Sequence, residues 1–499
     1  MLTRRELLRL GAQAWLASGL TSSTRVLAKA EPGGVVVNDI HSQLNATRVR
    51  RIVTPGTLDA LSVALRDARA EGLPVSVAGG RHAMGGQQFA EGSVLVDMNG
   101  MRRVLAFDPE AGVVEAQAGI QWPDLVAWLL REQEGRERVW GIRQKQTGAD
   151  RLSLGGALAS NVHSRGLRMR PIVGDVESFT LVGADGRIRT CSRGENPELF
   201  RLAIGGYGLF GIIATAKLRL APRVRVQRQV EVIDIDALPA GFERRTAEGF
   251  TFGDFQFATD PQGEEFLRRG VFSCYRPTSR PVPPSEGQKQ LSGDDWRELL
   301  YLAHADKKGG FEFYSRYYLG TSGQVYWSDT HQMSTYIDDY HAALDRRLRA
   351  RVPGTEMITE IYVPRDALVA FMADVRRDFR ANQVDLIYGT IRLIEKDDET
   401  FLAWARAPFA CVIFNLHIPH SPEGKRRSAD HFRRLIDHGS RYGGSYFLTY
   451  HRWAKRAQIE RCYPRFTEFL RLKRAHDPHE RFQSEWYRHY RAMFAGGRA

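Results

Sequence analysis

The sequence predicts an α+β protein made of two successive α+β units. Three observations carry this. Helix-type and strand-type periodicity alternate from Thr54 onward, an Asp-Gly turn joins two alternating segments near residue 185, and the texture changes near Arg223 to longer amphipathic segments. The length of 499 residues suggests two to four domains. Hydrophobic residues at 43% and charged residues at 26% are the balance of an ordinary globular chain, large enough to bury a core without staples.

In chain order, the first 30 residues read as an address. Thr3-Arg4-Arg5-Glu6-Leu7-Leu8 resembles a twin-arginine export motif, a weakly apolar stretch runs from Leu10 to Leu20, and Ala28-Lys29-Ala30 offers a small-x-small cleavage site. The expectation is a periplasmic protein whose residues 1–30 are removed; an amphipathic N-terminal helix is the competing reading. No apolar run of about 20 residues occurs, so no transmembrane segment is expected.

Pro55-Gly56-Thr57 opens a helix in which Leu58, Leu61, Ala64, Leu65 and Ala68 recur at helical spacing, ended by Gly72. Leu73 to Ala78 reads as a strand running into Gly79-Gly80. Ser93 to Asp97 and Val113 to Ala118 read as strands, and 121–132 as a helix. Val176 to Val182, Gly183-Ala184-Asp185-Gly186 and Arg187 to Cys191 form a hairpin signal. Pro281 to Asp295, polar and proline-rich, reads as an exposed loop.

The net charge of +13 raises the question of nucleic acid. Basic residues are interleaved with acidic ones and no nucleic-acid-binding signature is found, so no nucleic-acid partner is expected. Cys191, Cys274, Cys411 and Cys462 lack CxxC spacing, so neither a zinc ribbon, an iron–sulfur cluster nor a disulfide framework is expected, and no metal ligands are assigned.

Three glycine-rich turns carry the chemistry. Gly79-Gly80-Arg81-His82-Ala83-Met84-Gly85-Gly86-Gln87 places four glycines in eight residues at the end of a strand. Such backbone exposes N–H groups to an anion at close range. It is neither a Walker A loop nor a GxGxxG fingerprint. The second turn is Thr147 to His163, with Ser153, Gly155 and Gly156. The third runs from Asn196 to Ile213, with Gly205-Gly206-Tyr207-Gly208 and Gly211-Ile212.

Together these turns resemble the FAD-binding half of the vanillyl-alcohol oxidase superfamily, the PCMH-type fold, shared by cytokinin dehydrogenases, aldonolactone and alditol oxidases and decaprenylphosphoryl-ribose oxidases. The resemblance covers about Arg50 to Leu220. It implies a two-subdomain FAD-binding domain over 45–222, a substrate or cap domain over 223–450 and a C-terminal return segment over 451–499. It also implies that Gly79, Gly80, Arg81, His82, Ala83, Met84 and Gln87 wrap the FAD pyrophosphate, that Ser153, Gly155 and Gly156 contact its other side, that Asn161 and His163 stand near flavin or substrate, and that Ile212 holds the adenine or the flavin edge. His82 matches the histidine that carries covalent flavin in some relatives, although Arg81 and Ala83 depart from the usual neighbours; a histidine that only hydrogen-bonds is the alternative. Ala149 replaces the cysteine of doubly linked relatives, so at most one covalent bond is expected.

In the second half, Tyr388 to Arg392 resembles a Glu-x-Arg strand of the lactone and alditol oxidases, with Thr390 in place of the glutamate. Arg392 is then a candidate to stabilise reduced flavin or to orient substrate. Asn415 and His417 share one face of an alternating strand and are candidates to face the substrate, with a satisfied core histidine as the alternative. The segment Gly443 to Lys455 resembles another lactone-oxidase segment and makes Tyr450, His451 and Lys455 candidates, against the plain readings of core histidine and solvated lysine. The resemblance implies an FAD-dependent oxidoreductase acting on a small-molecule alcohol, sugar, polyol or lactone, passing electrons to O₂ or a respiratory acceptor. The alternatives are a flavin-carrying binding or assembly protein without turnover, which the loss of glutamate at 390 favours, and a reductive sterol-reductase-like flavoenzyme.

Overall fold

A computed structural model describes residues 33–284, 287–334, 337 and 340–496. The export-type segment 1–30 lies outside the described residues. Among the described residues, no helix is long and apolar enough to cross a membrane.

Thr57 begins the first described helix, Leu58–Ala70, by accepting a hydrogen bond from the Ala60 N–H at 3.1 Å. Leu61, Leu65 and Ala68 turn inward from it onto a three-stranded parallel sheet ordered Arg51–Val53, Val94–Asp97, Val75–Ala78. A five-stranded antiparallel sheet follows, ordered Ile188–Ser192, Val176–Val182, Ile212–Arg219, Val113–Gln117, Val104–Asp108. The Asp-Gly turn closes its hairpin, with Ile188 opposite Val182. Helices Trp122–Glu132, Leu154–Ser160 and Pro197–Ala203 contribute Trp122, Leu125, Leu158 and Phe200 to one core with both sheets.

From Arg225 the chain builds an eight-stranded antiparallel sheet, ordered Val325–Trp327, Arg225–Asp234, Arg269–Pro277, Phe252–Phe257, Leu386–Ile394, Phe409–Pro419, Gly354–Pro364, Ser445–Tyr446. Side chains alternate along a strand, so the sheet has two distinct faces. On one, Met357 and Ile361 join a core with Phe371, Phe379, Phe432 and Leu435 of the helices Leu368–Ala381 and Pro422–Arg441. The other face carries Glu356, Ile358 and Glu360 and is where the chemistry gathers.

The structure departs from the expected loop over 281–295. A helix, Gly293–Ala305, begins inside it, and Ser292 and Asp295 form a reciprocal capping box at its start. The prolines mask this signal because they all precede the cap. The last segment returns to the start of the chain: Val75 donates to the Arg481 carbonyl at 2.7 Å, Gln483 donates to the Val75 carbonyl at 2.8 Å, and Glu485 donates to the Phe89 carbonyl at 2.7 Å.

Phe414 is fully buried among Phe257, Phe371 and Phe379. Truncating it removes a ring from the centre of the larger sheet. Phe414→Ala is expected to cost about 3–5 kcal/mol, read as a shift in denaturant midpoint without a change in m-value.

Candidate flavin and substrate site

The glycine turns meet where strand Val75–Ala78 ends. The Gly79 Cα lies so close to Ser153 that a Cβ there would collide with the Ser153 Oγ, and a Cβ on Gly80 would collide with the Arg151 carbonyl. Ser153 caps helix Leu154–Ser160 by accepting from the Gly156 N–H. A Cβ on Gly155 would stand 2.9 Å from that of Ala118. In the third turn, Gly205, Tyr207, Gly208 and Gly211 all have positive φ, which coils the backbone tightly before Ile212 enters the five-stranded sheet.

These close approaches leave a slot of about 90 Å³ lined by Ala78, Gly79, Gln87, Gly155, Gly156, Gly208 and Ile212. Gly79, Ala83, Ser153, Gly156 and Ser160 also line a second cavity, of about 480 Å³, so the two spaces adjoin. The larger cavity takes its floor from the turn Gly79 to Met84 and a wall from the eight-stranded sheet. Another wall is aromatic: Trp296, Tyr314, Tyr317, Tyr318, Tyr326 and Tyr388. Arg165, Arg228 and Arg392 line it too, with Asp254 as an opposing carboxylate 3.6 Å from Arg165. The cationic excess suits an anionic ligand or a site where negative charge develops.

His82 lines the cavity and its Nδ1 pairs with the His41 Nε2 at 2.8 Å. Burial first, then the neighbouring His41, pushes its imidazolium down to about 3, so the ring is neutral at ordinary pH. Its Nε2 makes no hydrogen bond of good geometry, although the Arg151 carbonyl is near. With Nδ1 engaged, Nε2 is the nitrogen available to another group.

The sheet wall is organised in lateral rows. Thr390 pairs with Ile413 and Ile413 with Glu360, so these three cavity residues stand abreast on neighbouring strands. Glu360 therefore supplies a carboxylate in the row where Thr390 lacks one, two strands and about 10 Å away at ordinary strand spacing. Burial raises the cost of its charge, but His163 at 2.8 Å and hydrogen bonds from the Tyr362 and Tyr450 hydroxyls hold it down at about 2. It is a buried, ionised carboxylate with a tyrosine hydroxyl and an imidazole as immediate partners. Sequence reasoning missed it. The available signal was Glu356 and Glu360 on one face of the otherwise apolar strand Gly354–Pro364, since acidic groups on a buried strand face need partners.

The structure brings together in the larger cavity Gly79, Gly80, Arg81, His82, Ala83, Met84, Ser153, Gly156, His163 and Arg392, while Gln87, Gly155 and Ile212 line the slot. Arg392 is buried, and its Nε lacks a hydrogen-bond partner, as does the Thr390 Oγ1. Four expected residues stand elsewhere. Asn161 is a left-handed helix cap whose side-chain amide donates to Asp397 at 2.8 Å and whose side-chain oxygen accepts from the Val173 N–H, so it braces the fold behind the cavity. His451 packs among Phe432, Tyr446 and Trp453, and burial followed by Arg433 pushes its pKa to about 3. Lys455 is exposed and occupies the N-cap of helix Arg456–Cys462. His417 continues the sheet face beyond the cavity and contacts Glu356.

A cavity bounded by bare backbone turns and joined to a narrow slot fits an elongated dinucleotide, and the family comparison agrees. Residues 49–192 match the FAD binding domain model. The chain therefore carries an FAD-binding domain of the PCMH type, and FAD is its cofactor. The chain is similar to an uncharacterized oxidoreductase, ORF5 of the fasciation locus, from Rhodococcoides fascians, at 33% identity over 36% of this chain and 40% of the relative. It is similar to cytokinin dehydrogenase 5 of Oryza sativa, at 30% identity over 36% of this chain and 33% of the relative. It is also similar to L-gulono-1,4-lactone dehydrogenase of Mycobacterium tuberculosis, at 22% identity over 88% of this chain and 95% of the relative. The match thus spans two-fifths or less of the first two relatives.

Gly156 borders both spaces, and a Cβ there would meet only the Ser153 Oγ, at 3.1 Å. Gly156→Val is expected to preserve the far-UV circular dichroism while its branched side chain fills the junction. The purified variant should carry less than about one-tenth of the wild-type flavin absorbance, since overfilling a tight site costs of order 1–3 kcal/mol.

Proposed function

We propose that this protein is an FAD-dependent oxidoreductase that oxidises a CH–OH group of a sugar, polyol or lactone-type substrate. The observation that carries the reading is the ionised Glu360 lining the same cavity as Arg392 and the FAD-binding turns. Bound FAD supplies the two-electron acceptor that protein side chains lack. Oxidation of an alcohol also releases the hydroxyl proton, and this chain provides its acceptor. Glu360 takes that proton directly or through the Tyr450 hydroxyl, 2.7 Å from its Oε1, and His163 stands 2.8 Å from Oε2 to stabilise the charge before and share the proton after. Arg392 orients the substrate oxygen or balances negative charge. The tyrosine wall offers aromatic faces and hydroxyls to a polar, ring-shaped substrate.

Against the reading without turnover stands Glu360, which gives the row of Thr390 a carboxylate two strands away. His82 is the attachment point for a single covalent flavin bond in this proposal, with Nε2 as the free nitrogen. The electron acceptor is O₂ or a respiratory carrier, and the Thr3–Leu8 motif directs export to the periplasm.

The test is anaerobic titration of the yellow protein with alcohols, polyols, sugars and aldonolactones. At least one should bleach the flavin band; a holoprotein that dithionite bleaches and none of these substrates does would overturn the proposal. Glu360→Gln keeps the shape and removes the base, so kcat for the bleaching substrate should fall by about 10²- to 10⁴-fold with flavin content retained. In acid precipitation, wild-type colour should stay with the protein pellet and His82→Ala colour should move to the supernatant. Wild-type colour in the supernatant rules out the covalent bond while leaving the oxidoreductase intact.

A further inference from the structure

We infer that His304, Glu356 and His417 form a binding site for one divalent transition-metal ion, of the zinc or ferrous type, on the sheet face beyond the flavin cavity. The three residues come from three elements. His304 ends helix Gly293–Ala305, Glu356 lies on strand Gly354–Pro364, and His417 stands directly opposite it on strand Phe409–Pro419. The His304 Nε2 is 3.0 Å and the His417 Nδ1 3.6 Å from the same oxygen, Glu356 Oε1. All three ligand atoms lie within 4.8 Å of one another, and the 3.6 Å separation is close to the edge of about 3.4 Å between ligands of a tetrahedral ion at about 2.1 Å.

An independent observation points the same way. These three atoms are buried, and none makes a hydrogen bond of good geometry, although both imidazoles lie close enough to favour the charged Glu356 carboxylate. Buried polar atoms are normally satisfied. Three that converge without bonding share a missing partner. A single cation at their centre satisfies all of them at once. Two imidazoles and one carboxylate are the donor set of zinc and ferrous sites, and hard cations such as magnesium and calcium prefer oxygen alone.

The surroundings suit a metal. The second oxygen, Glu356 Oε2, accepts from the Tyr340 hydroxyl and lies 3.0 Å from the His341 Nδ1. The tyrosine hydroxyl orients the carboxylate from its far oxygen, as outer partners do for metal ligands, while the His341 Nδ1 lies close without a hydrogen bond of good geometry. With three protein ligands, the fourth position of a tetrahedral ion is left for water. Glu356 is four residues from Glu360 on the same face, about 13 Å along the strand, so the site is separate from the proposed base. None of its ligands lines the flavin cavity. Its consequence reaches that cavity through helix Gly293–Ala305, which carries Trp296 on the aromatic wall as well as His304. A bound ion ties this helix to the sheet. The sequence offered no warning, because the ligands are separated by tens of residues and follow no metal motif.

The experiment uses the full-length flavin-loaded protein, stripped with a chelator, dialysed, and then titrated with Co²⁺ and Zn²⁺. Co²⁺ should give one equivalent of saturable visible d–d absorption after subtraction of the flavin spectrum, displaced by Zn²⁺. The zinc-loaded form should melt at higher temperature than the stripped form, because an ion that binds only the folded state stabilises it. His304→Ala and Glu356→Gln should abolish the cobalt band while retaining flavin absorbance, and Tyr340→Phe should weaken binding by about 10- to 100-fold. A wild-type protein without saturable cobalt absorption or zinc stoichiometry overturns the inference, whatever the variants do. Undiminished binding in flavin-retaining His304→Ala overturns it equally. Flavin reduction by substrate is a separate readout, so loss of the metal site leaves the oxidoreductase proposal standing.

Discussion

Backbone at Gly79 and Gly80 packs against Ser153 and Arg151 with no room for a side chain, and both spaces of the candidate site border on that contact. Two segments more than 70 residues apart are brought so close that only glycine fits on one side. The contact sets the end of the parallel sheet against the start of helix Leu154–Ser160 and leaves the slot between them. It also leaves backbone rather than side chains facing the slot, the kind of surface on which N–H groups can meet an anion. The third turn completes the enclosure by coiling through positive φ before Ile212.

Chemistry is placed by a different device. The eight-stranded sheet presents one face to a packed aromatic core and the other to polar groups, and its antiparallel register sets residues from distant parts of the chain abreast. Glu360, Ile413 and Thr390 share one row; two steps along, His417 faces Glu356. Each buried carboxylate on this face has gathered partners. Glu360 has hydrogen bonds with His163, Tyr362 and Tyr450, while Glu356 has one from the Tyr340 hydroxyl and three imidazoles within 3.0–3.6 Å. A buried charge without such partners would be untenable. Two carboxylates on one strand thus serve two sites: one opens on the flavin cavity, the other stands apart from it.

The histidines divide by environment. His82 and His451 are both driven neutral by burial, but one borders a cavity with a ring nitrogen to spare and the other is enclosed by aromatic rings. The same side chain therefore lines a cavity in one place and packs in the core in the other. Local sequence around His451 resembles an active-site segment, yet its neighbours in space decide its role.

The glycine-rich turns that bound the two spaces were legible in the amino-acid sequence because their requirement is local. Gly79, Gly155, Gly208 and Gly211 record close approaches in their own residue type, and the spacing of Leu61, Leu65 and Ala68 records the helix beside them. The hairpin at Asp185-Gly186 and the change of texture before Arg225 were legible for the same reason. What needed the tertiary structure was every property set by strand register. That Glu360 stands in the row of Thr390, that His417 meets Glu356 and not the flavin cavity, that Asn161 braces Asp397 and that Lys455 faces solvent all depend on which strands and loops become neighbours. Pairing between residues tens to hundreds of positions apart leaves no periodicity in the chain, so the cofactor could be read from it and the arrangement of acids and bases could not.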